Sequence, residues 1–271
     1  MDILQEFYSK DLYTRYAISN KPDDKDFTMH VHEYCEIFYF VSGNAEYLVE
    51  GTRYPLESGN LLIMRPAESH RTHIMGGGIY ERYALNFSVS TLDCIDPEHR
   101  LLKAFFERPL GRGNFYALDK IQLEKIFYDM CRNNEDDYGK RLKTMTSLIT
   151  LLDIINNAYI KKESEEYREP QSLSEKIVAY VNANLFEEIS VPLLAEKFFL
   201  STSQFSRIFK QATGAAPWEY ITIKRLTAAK EKIRRGDSAQ YAADKCGFGD
   251  YSTFYRSYVK YFGSSPKSAN E

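Results

Sequence analysis

The chain has 271 residues, 44% of them hydrophobic and 27% charged, and a net charge of −3 at pH 7. This length suits two domains, each able to bury a core, and the composition is that expected of a soluble globular protein. Three features speak against a membrane or secreted protein: no stretch of about eighteen consecutive apolar residues, no basic-then-apolar layout in Met1-Asp2-Ile3-Leu4-Gln5-Glu6, and no C-x-x-C pair among Cys35, Cys94, Cys131 and Cys246. A cytoplasmic protein with reduced thiols is expected. The charge is unevenly divided: residues 171–271 carry 14 Lys+Arg against 10 Asp+Glu, and residues 1–170 carry 21 against 28. The C-terminal part is therefore the half suited, mildly, to a polyanion.

Between residues 27 and 87 the sequence predicts short β-strands. Residues 37–41 are an apolar run ended by Ser42-Gly43-Asn44, and residues 46–50 end at Gly51. Residues 61–64 follow Ser58-Gly59-Asn60 and stop at Pro66, and residues 80–87 make a further strand. Many short strands separated by turn residues predict a sandwich or small barrel. His30, His32 and Glu36 are all even-numbered, so on an unbulged strand they share a face, and His70 joins them if residues 59–70 return as a neighbouring strand.

The stretches HVHEYCEIFYFVSG (30–43) and GNLLIMRPAESH (59–70) resemble the two motifs of the cupins, a jelly-roll barrel family. That resemblance implies that His30, His32, Glu36 and His70 converge inside an all-β barrel as an effector pocket. Three imidazoles and a carboxylate are sensible ligands for Zn, Mn, Fe or Ni; the same side chains equally suit a sugar pocket, hydrogen-bonded to hydroxyls. No cofactor is required, and a divalent metal stands as one of two occupants. A metal-dependent cupin enzyme is the rival reading.

Residues 97–159 turn helical, most strongly over 141–159, where Leu142, Met145, Leu148, Ile149, Leu152, Ile155 and Tyr159 form one stripe flanked by Leu151 and Ile154. So wide an apolar face suits a partner subunit, giving a homodimer, or a helix packed wholly within its own domain. Residues 161–171 are dense in charge and read as a linker between a first domain, 1–160, and a second, 172–271. A helix follows over 174–185, then one capped by Ser190 with Pro192 in its first turn. A long helix over 222–235 ends at Gly236.

From residue 190 to residue 266 one helix-turn-helix pattern occurs twice. Phe205, Arg207, Phe209, Gly214 and Pro217 recur 49 positions later as Phe254, Arg256, Tyr258, Gly263 and Pro266. Ahead of the turns the offset is 48, pairing Ala195 with Ala243, so the second turn (Gly247-Phe248-Gly249) is one residue longer than the first (Phe199-Leu200). Ser201 and Asp250 are predicted N-caps, and Ser201 with Gln204 makes a capping-box pair. Helical spacing turns Phe205, Ile208 and Phe209 inward, and Phe254 and Tyr258 likewise. Outward stand Ser203, Gln204, Ser206, Arg207 and Lys210 in the first copy, and Tyr251, Ser252, Tyr255 and Arg256 in the second. Such faces suit base edges and phosphates of double-stranded DNA.

These motifs (AEKFFLSTSQFSRIFK, the linking RLTAAK at 225–230, GFGDYSTFYRSY and FGSSP) resemble the AraC family of bacterial transcription regulators over the last hundred or so residues. Phe199 stands where that family often has Gly, Val259 where a basic residue is common, and the chain ends without the usual aromatic-Arg. The resemblance implies a regulator, not an enzyme, with an N-terminal cupin sensor for a sugar-like small molecule, dimerisation helices, and an all-α domain of two helix-turn-helix modules that binds promoter DNA.

Overall fold

The computed structural model describes residues 2–9, 11–131, 136–162 and 172–267. It divides into two compact units, one of Met1–Thr28 and Tyr34–Arg168, the other of Met29–Glu33 and Glu169–Glu271. Of the predicted linker at 161–171, Lys161 and Lys162 are the last residues of a helix, and the rest lies outside the described residues.

The first unit contains the strands β1 (Asp2–Ser9), β2 (Leu12–Ser19), β3 (Cys35–Ser42), β4 (Ala45–Val49), β5 (Thr52–Pro55), β6 (Asn60–Met64), β7 (His70–Ile74) and β8 (Tyr80–Phe87). Helix α1 (Lys103–Phe106), strand β9 (Phe115–Ala117) and helices α2 (Lys120–Met130) and α3 (Asp137–Lys162) follow. The strands form a six-stranded sheet, ordered β1-β2-β8-β3-β6-β9, and a three-stranded sheet, ordered β5-β4-β7. All the ladders are antiparallel. The hairpin of β1 and β2 and the short strands β5, β7 and β9 extend the strands read from the sequence.

Strand β3 explains why its sequence is apolar without alternation. Cys35, Ile37 and Tyr39 belong to the cluster that includes Leu123 and Phe127 of α2 and Leu148, Leu151, Leu152 and Ile155 of α3. Phe38 and Phe40, on the opposite face, pack with Tyr47 of β4, Leu62 and Met64 of β6, Ile74 of β7 and Tyr80 of β8. A strand covered on both faces has no solvent side to mark with polar residues, and each such side chain contributes roughly 1.5–3 kcal/mol on burial.

The same packing shows what covers the middle of the stripe at residues 141–159. Leu148, Leu151, Leu152 and Ile155 are all 0% exposed, packed in the core their own sheet and helices form. The stripe is wide because α3 is covered by the sheet and by α1 and α2, not because a partner subunit must cover Leu148 and Leu152. Among the described residues, Tyr138, Leu142 and Ile160 are the large hydrophobic residues exposed on α3, with Ile121 and Tyr128 exposed on α2.

The second unit is helical: α4 (Leu173–Ala183), α5 (Val191–Lys197), α6 (Thr202–Thr213), α7 (Pro217–Arg234), α8 (Ala239–Lys245) and α9 (Tyr251–Phe262). One core gathers Ile177, Val178, Val181, Leu194, Ala195, Phe205 and Phe209, a second Ala242, Ala243, Cys246, Phe254 and Tyr258. Helix α7 serves both: Tyr220 and Ile221 enter the first core, Leu226, Ala229 and Ile233 the second. It starts at Pro217, ahead of the predicted residue 222, because proline in the first turn needs no partner for a missing N–H. Each helix-turn-helix copy thus owns a core, and one continuous helix carries both.

Candidate nucleic-acid interface and effector site

Helix α6 opens on Ser201, whose Oγ accepts the Gln204 N–H, while the Gln204 side-chain oxygen accepts the Ser201 N–H at 3.1 Å. Both halves of the predicted capping box are present. Helix α9 opens on Asp250, whose carboxylate accepts the Thr253 N–H at 2.8 Å; hydrogen bonds from Thr253 hold that carboxyl below its usual range. Each helix ends on a left-handed glycine, Gly214 and Gly263, where a Cβ would be strained.

Inward, Phe205, Phe209, Phe254 and Tyr258 are fully buried, as their spacing predicts, while Ile208 is half-buried against the first core. Outward, Ser203, Gln204, Arg207 and Lys210 of α6 and Ser252, Tyr255 and Arg256 of α9 are exposed. Two residues predicted to stand outward are less exposed: Ser206 is half-buried, and Tyr251 is half-buried with its ring 5.7 Å from Phe254, packed on the second core. Gln204 divides its amide, since its oxygen is held by the cap and only its nitrogen is left to reach outward. The Arg256 guanidinium donates back to the Ser252 carbonyl at 3.3 Å, which holds it along its own helix.

In the β unit, Glu36 and His70 are both buried, at 5% and 1% exposure. Glu36 lies on the inward face of β3. His70 opens β7 in the other sheet, opposite Val49 of β4, so it reaches Glu36 from the facing sheet and not, as the sequence suggested, from a neighbouring strand. The His70 Nε2 to Glu36 Oε2 distance is 3.4 Å, and the Tyr47 hydroxyl donates to Glu36 Oε1 at 3.4 Å. Burial pulls the His70 pKa down, but the hydrogen bond and charge of Glu36 prevail and raise it. His70 Nδ1 lies 2.7 Å from the Glu68 carbonyl, which can only accept. Nδ1 therefore carries a proton, and the Glu36 carboxylate facing Nε2 favours a second one there; a metal or a hydroxyl donor at Nε2 would take that proton's place.

His30 and His32 are not on β3, which begins at Cys35. They stand in the irregular lead-in to that strand, ring centroids 5.8 Å apart, His30 exposed and His32 half-buried. The candidate ligand atoms of His30, His32, Glu36 and His70 all lie within 4.8 Å of one another. Tetrahedral ligands about 2.0–2.1 Å from a divalent ion stand about 3.4 Å apart, so a small contraction would seat one. Three imidazoles and one carboxylate fit such an ion in chemistry as well.

Sequence reasoning missed the support beneath His70. Glu68 is fully buried and accepts from Arg108 through both carboxylate oxygens, at 2.8 and 2.6 Å, from Gly111 N–H at 2.8 Å, from Arg65 N–H at 3.0 Å and from Asn114 Nδ2 at 3.1 Å. Burial alone would raise its pKa; the Arg108 guanidinium and these donors bring it down to about 2. The carboxylate thereby fixes the turn that aims His70. Its partner is 40 positions away in the chain, so no local pattern marks it.

Residues 12–152 match the family described as AraC-like ligand binding domain, and residues 194–271 match the helix-turn-helix domain family. The probable transcriptional regulator LumQ of Photobacterium leiognathi is 36% identical over 246 residues, 90% of this chain and 92% of that protein. The HTH-type transcriptional activator RhaS of Escherichia fergusonii is 23% identical over 263 residues, 94% and 91% of the two chains. Among solved structures, that of ToxT from Vibrio cholerae bound to an unsaturated fatty acid is 10% identical with a TM-score of 0.43, covering 96% of this chain and 95% of that one. Among the described residues no helix is long and apolar enough to cross a membrane. The families matched and these relatives are transcriptional regulators, not enzymes. A ligand-binding domain ahead of a helix-turn-helix DNA-binding domain places the chain in the AraC family of transcriptional regulators.

Proposed function

We propose that this regulator is a cytoplasmic homodimer that senses a small polar molecule, sugar-like in its hydroxyl chemistry, or a divalent metal, at His30, His32, Glu36 and His70. It answers by changing its hold on specific promoter sequences. The observation that carries the reading is the juxtaposition of these four side chains, with the His70 ring oriented by a backbone carbonyl that accepts from its Nδ1. Glu36 supports it, because a buried carboxylate is costly unless a cation, an imidazolium or hydroxyl donors meet it. When bound, a metal would supply a Lewis-acidic anchor; the chain's own work is to orient His70 and to shield Glu36 from water.

On the DNA side, α6 and α9 enter successive major grooves about one turn, roughly 10 bp, apart. Arg207 and Arg256 are the base-reading candidates, with Ser203, Gln204, Lys210, Ser252 and Tyr255 around them. The homodimer would join its subunits through the exposed apolar residues of α2 and α3, not through Leu148 and Leu152.

Selection of bound sequences from random DNA, with and without a panel of sugars, other metabolites and divalent metals, tests the reading. A defined motif whose affinity shifts with one panel member supports it. His30→Ala and His70→Ala should abolish that shift, or weaken effector binding by about 0.5–3 kcal/mol where only hydrogen bonds are lost. Elemental analysis of untagged protein separates metal from metabolite. A response unchanged in both variants would move the effector site elsewhere. Sedimentation as a monomer at micromolar concentration would overturn the dimer.

A further inference from the structure

Arg225 lies at the middle of α7 and is buried, at 5% exposure, yet among the described residues it makes no ion pair. Its guanidinium is spent on backbone carbonyls. Nε donates to Leu185 O at 2.7 Å, one terminal nitrogen to Glu187 O at 2.7 Å, and the other to Gly247 O at 2.5 Å. Residues 185 and 187 lie between α4 and α5, the entry to the first module; residue 247 is in the turn between α8 and α9 of the second. One side chain thus ties the first module's entry loop to the second module's turn.

The junction has no slack. A Cβ at Gly247 would meet Phe186 O at 2.7 Å and Arg225 Cζ at 2.9 Å. The loop and the turn are therefore in direct contact, with the guanidinium filling the remaining space. Because α6 and α9 are carried on opposite ends of α7, a helix that belongs to both cores, freedom at this junction would become freedom between the reading helices.

We propose that Arg225 is a positioning residue that sets the spacing of the two DNA segments this regulator accepts. The inference rests on the reading of α6 and α9 as DNA-reading helices. A planar fork meeting three carbonyls fixes direction as well as distance, which neither lysine nor an apolar residue can reproduce.

The full-length protein is assayed on its selected operator and on derivatives with one base pair added or removed between the two segments. Each base pair rotates the second segment by about 35°. The wild type should lose about tenfold in affinity per step, within the range of a single mismatch. Arg225→Met, if it retains the wild-type helical signal, should lose only about twofold per step, and Arg225→Lys should fall between. An Arg225→Met protein with the wild type's spacing penalty overturns the proposal, as does one weakened equally at every spacing.

A DNA-independent measurement decides the case where Arg225→Met binds poorly or the selection returns no motif. Spin labels on Ser203→Cys and Ser252→Cys, with Cys94→Ser to remove the exposed thiol, report the distance between the two reading helices. The wild type should give a narrow distribution, Arg225→Lys an intermediate one and Arg225→Met a broad one; equal widths overturn the clamp. A wild type that selects no DNA sequence, with the distribution still narrow in it and broad in Arg225→Met, would instead sink the DNA-reading function and leave the clamp standing.

Discussion

In the first module the residue after the C-cap of α5 is Phe199, at φ 56°; in the second, the residue after the C-cap of α8 is Gly247, at φ 78°. Both turns then close identically. Leu200 N–H reaches Ala195 O at 2.9 Å, and Phe248 N–H reaches Ala243 O at 3.1 Å. The backbone asks for the left-handed region twice, and the sequence answers with an aromatic residue once and glycine once. The surroundings account for the difference. Phe199 is 97% exposed, so its side chain has open space and bears only the local conformational cost. Gly247 faces a carbonyl and a buried guanidinium, so any side chain there is strained and also collides. One backbone shape thus tolerates or forbids a Cβ according to what stands beside it.

The sharpest way to break this comparison is Gly247→Ala. Left-handed strain of about 1–2 kcal/mol and overpacking of about 1–3 kcal/mol should together cost about 2–5 kcal/mol in denaturant unfolding of the full chain. A change under about 0.5 kcal/mol, the size of an ordinary surface substitution, would show that the junction yields freely.

Next in size are the reading residues. Arg207→Ala and Arg256→Ala should each cost about 1–3 kcal/mol of DNA affinity and relax preference in one segment only. Both side chains are exposed, so folding stability should hardly move, and footprints indifferent to both changes would refute the assignment. The caps come third. Ser201→Ala should cost about 1 kcal/mol of stability and Asp250→Ala should also destabilise, because each removes the acceptor for an N–H in the first turn of its helix. Equal losses would show that the reciprocal Gln204 bond adds little beyond the Ser201 oxygen.

What the sequence disclosed follows from range. The strands β3, β4, β6 and β8 were legible because apolar runs ended at Gly, Asn or Pro, and the caps at Ser190, Ser201 and Asp250 because capping is a matter of three adjacent residues. The strands β5 (TRYP) and β7 (HRTHI) carry too much polarity to read as strands, although β7 delivers His70. Helix α3 displayed the width of its apolar face but not what covers it, since a stripe looks the same whether its own sheet or a second subunit lies against it. The Glu68–Arg108 pair and the Arg225 junction join residues tens of positions apart. Charged residues within an apolar stretch gave no sign that their partners were backbone carbonyls or a distant guanidinium.

The smallest expected effects test the open side of the comparison. Phe199→Gly removes left-handed strain of about 1–2 kcal/mol and adds chain entropy to the unfolded state worth about 0.4–1 kcal/mol. A 97% exposed ring has little burial to lose, so the net should be a gain of about 0.5–1 kcal/mol in unfolding free energy. Gly249→Ala, at the extra residue of the second turn, should stay within about 0.5 kcal/mol: nothing lies within 4 Å of its added Cβ, and its φ is outside the left-handed range. If Phe199→Gly stabilises the fold and leaves DNA affinity unchanged, the phenylalanine is simply tolerated where space allows. If the same change weakens DNA binding, the strained, exposed ring is part of the interface, since backbone strain that persists at a surface turn is commonly held there by function.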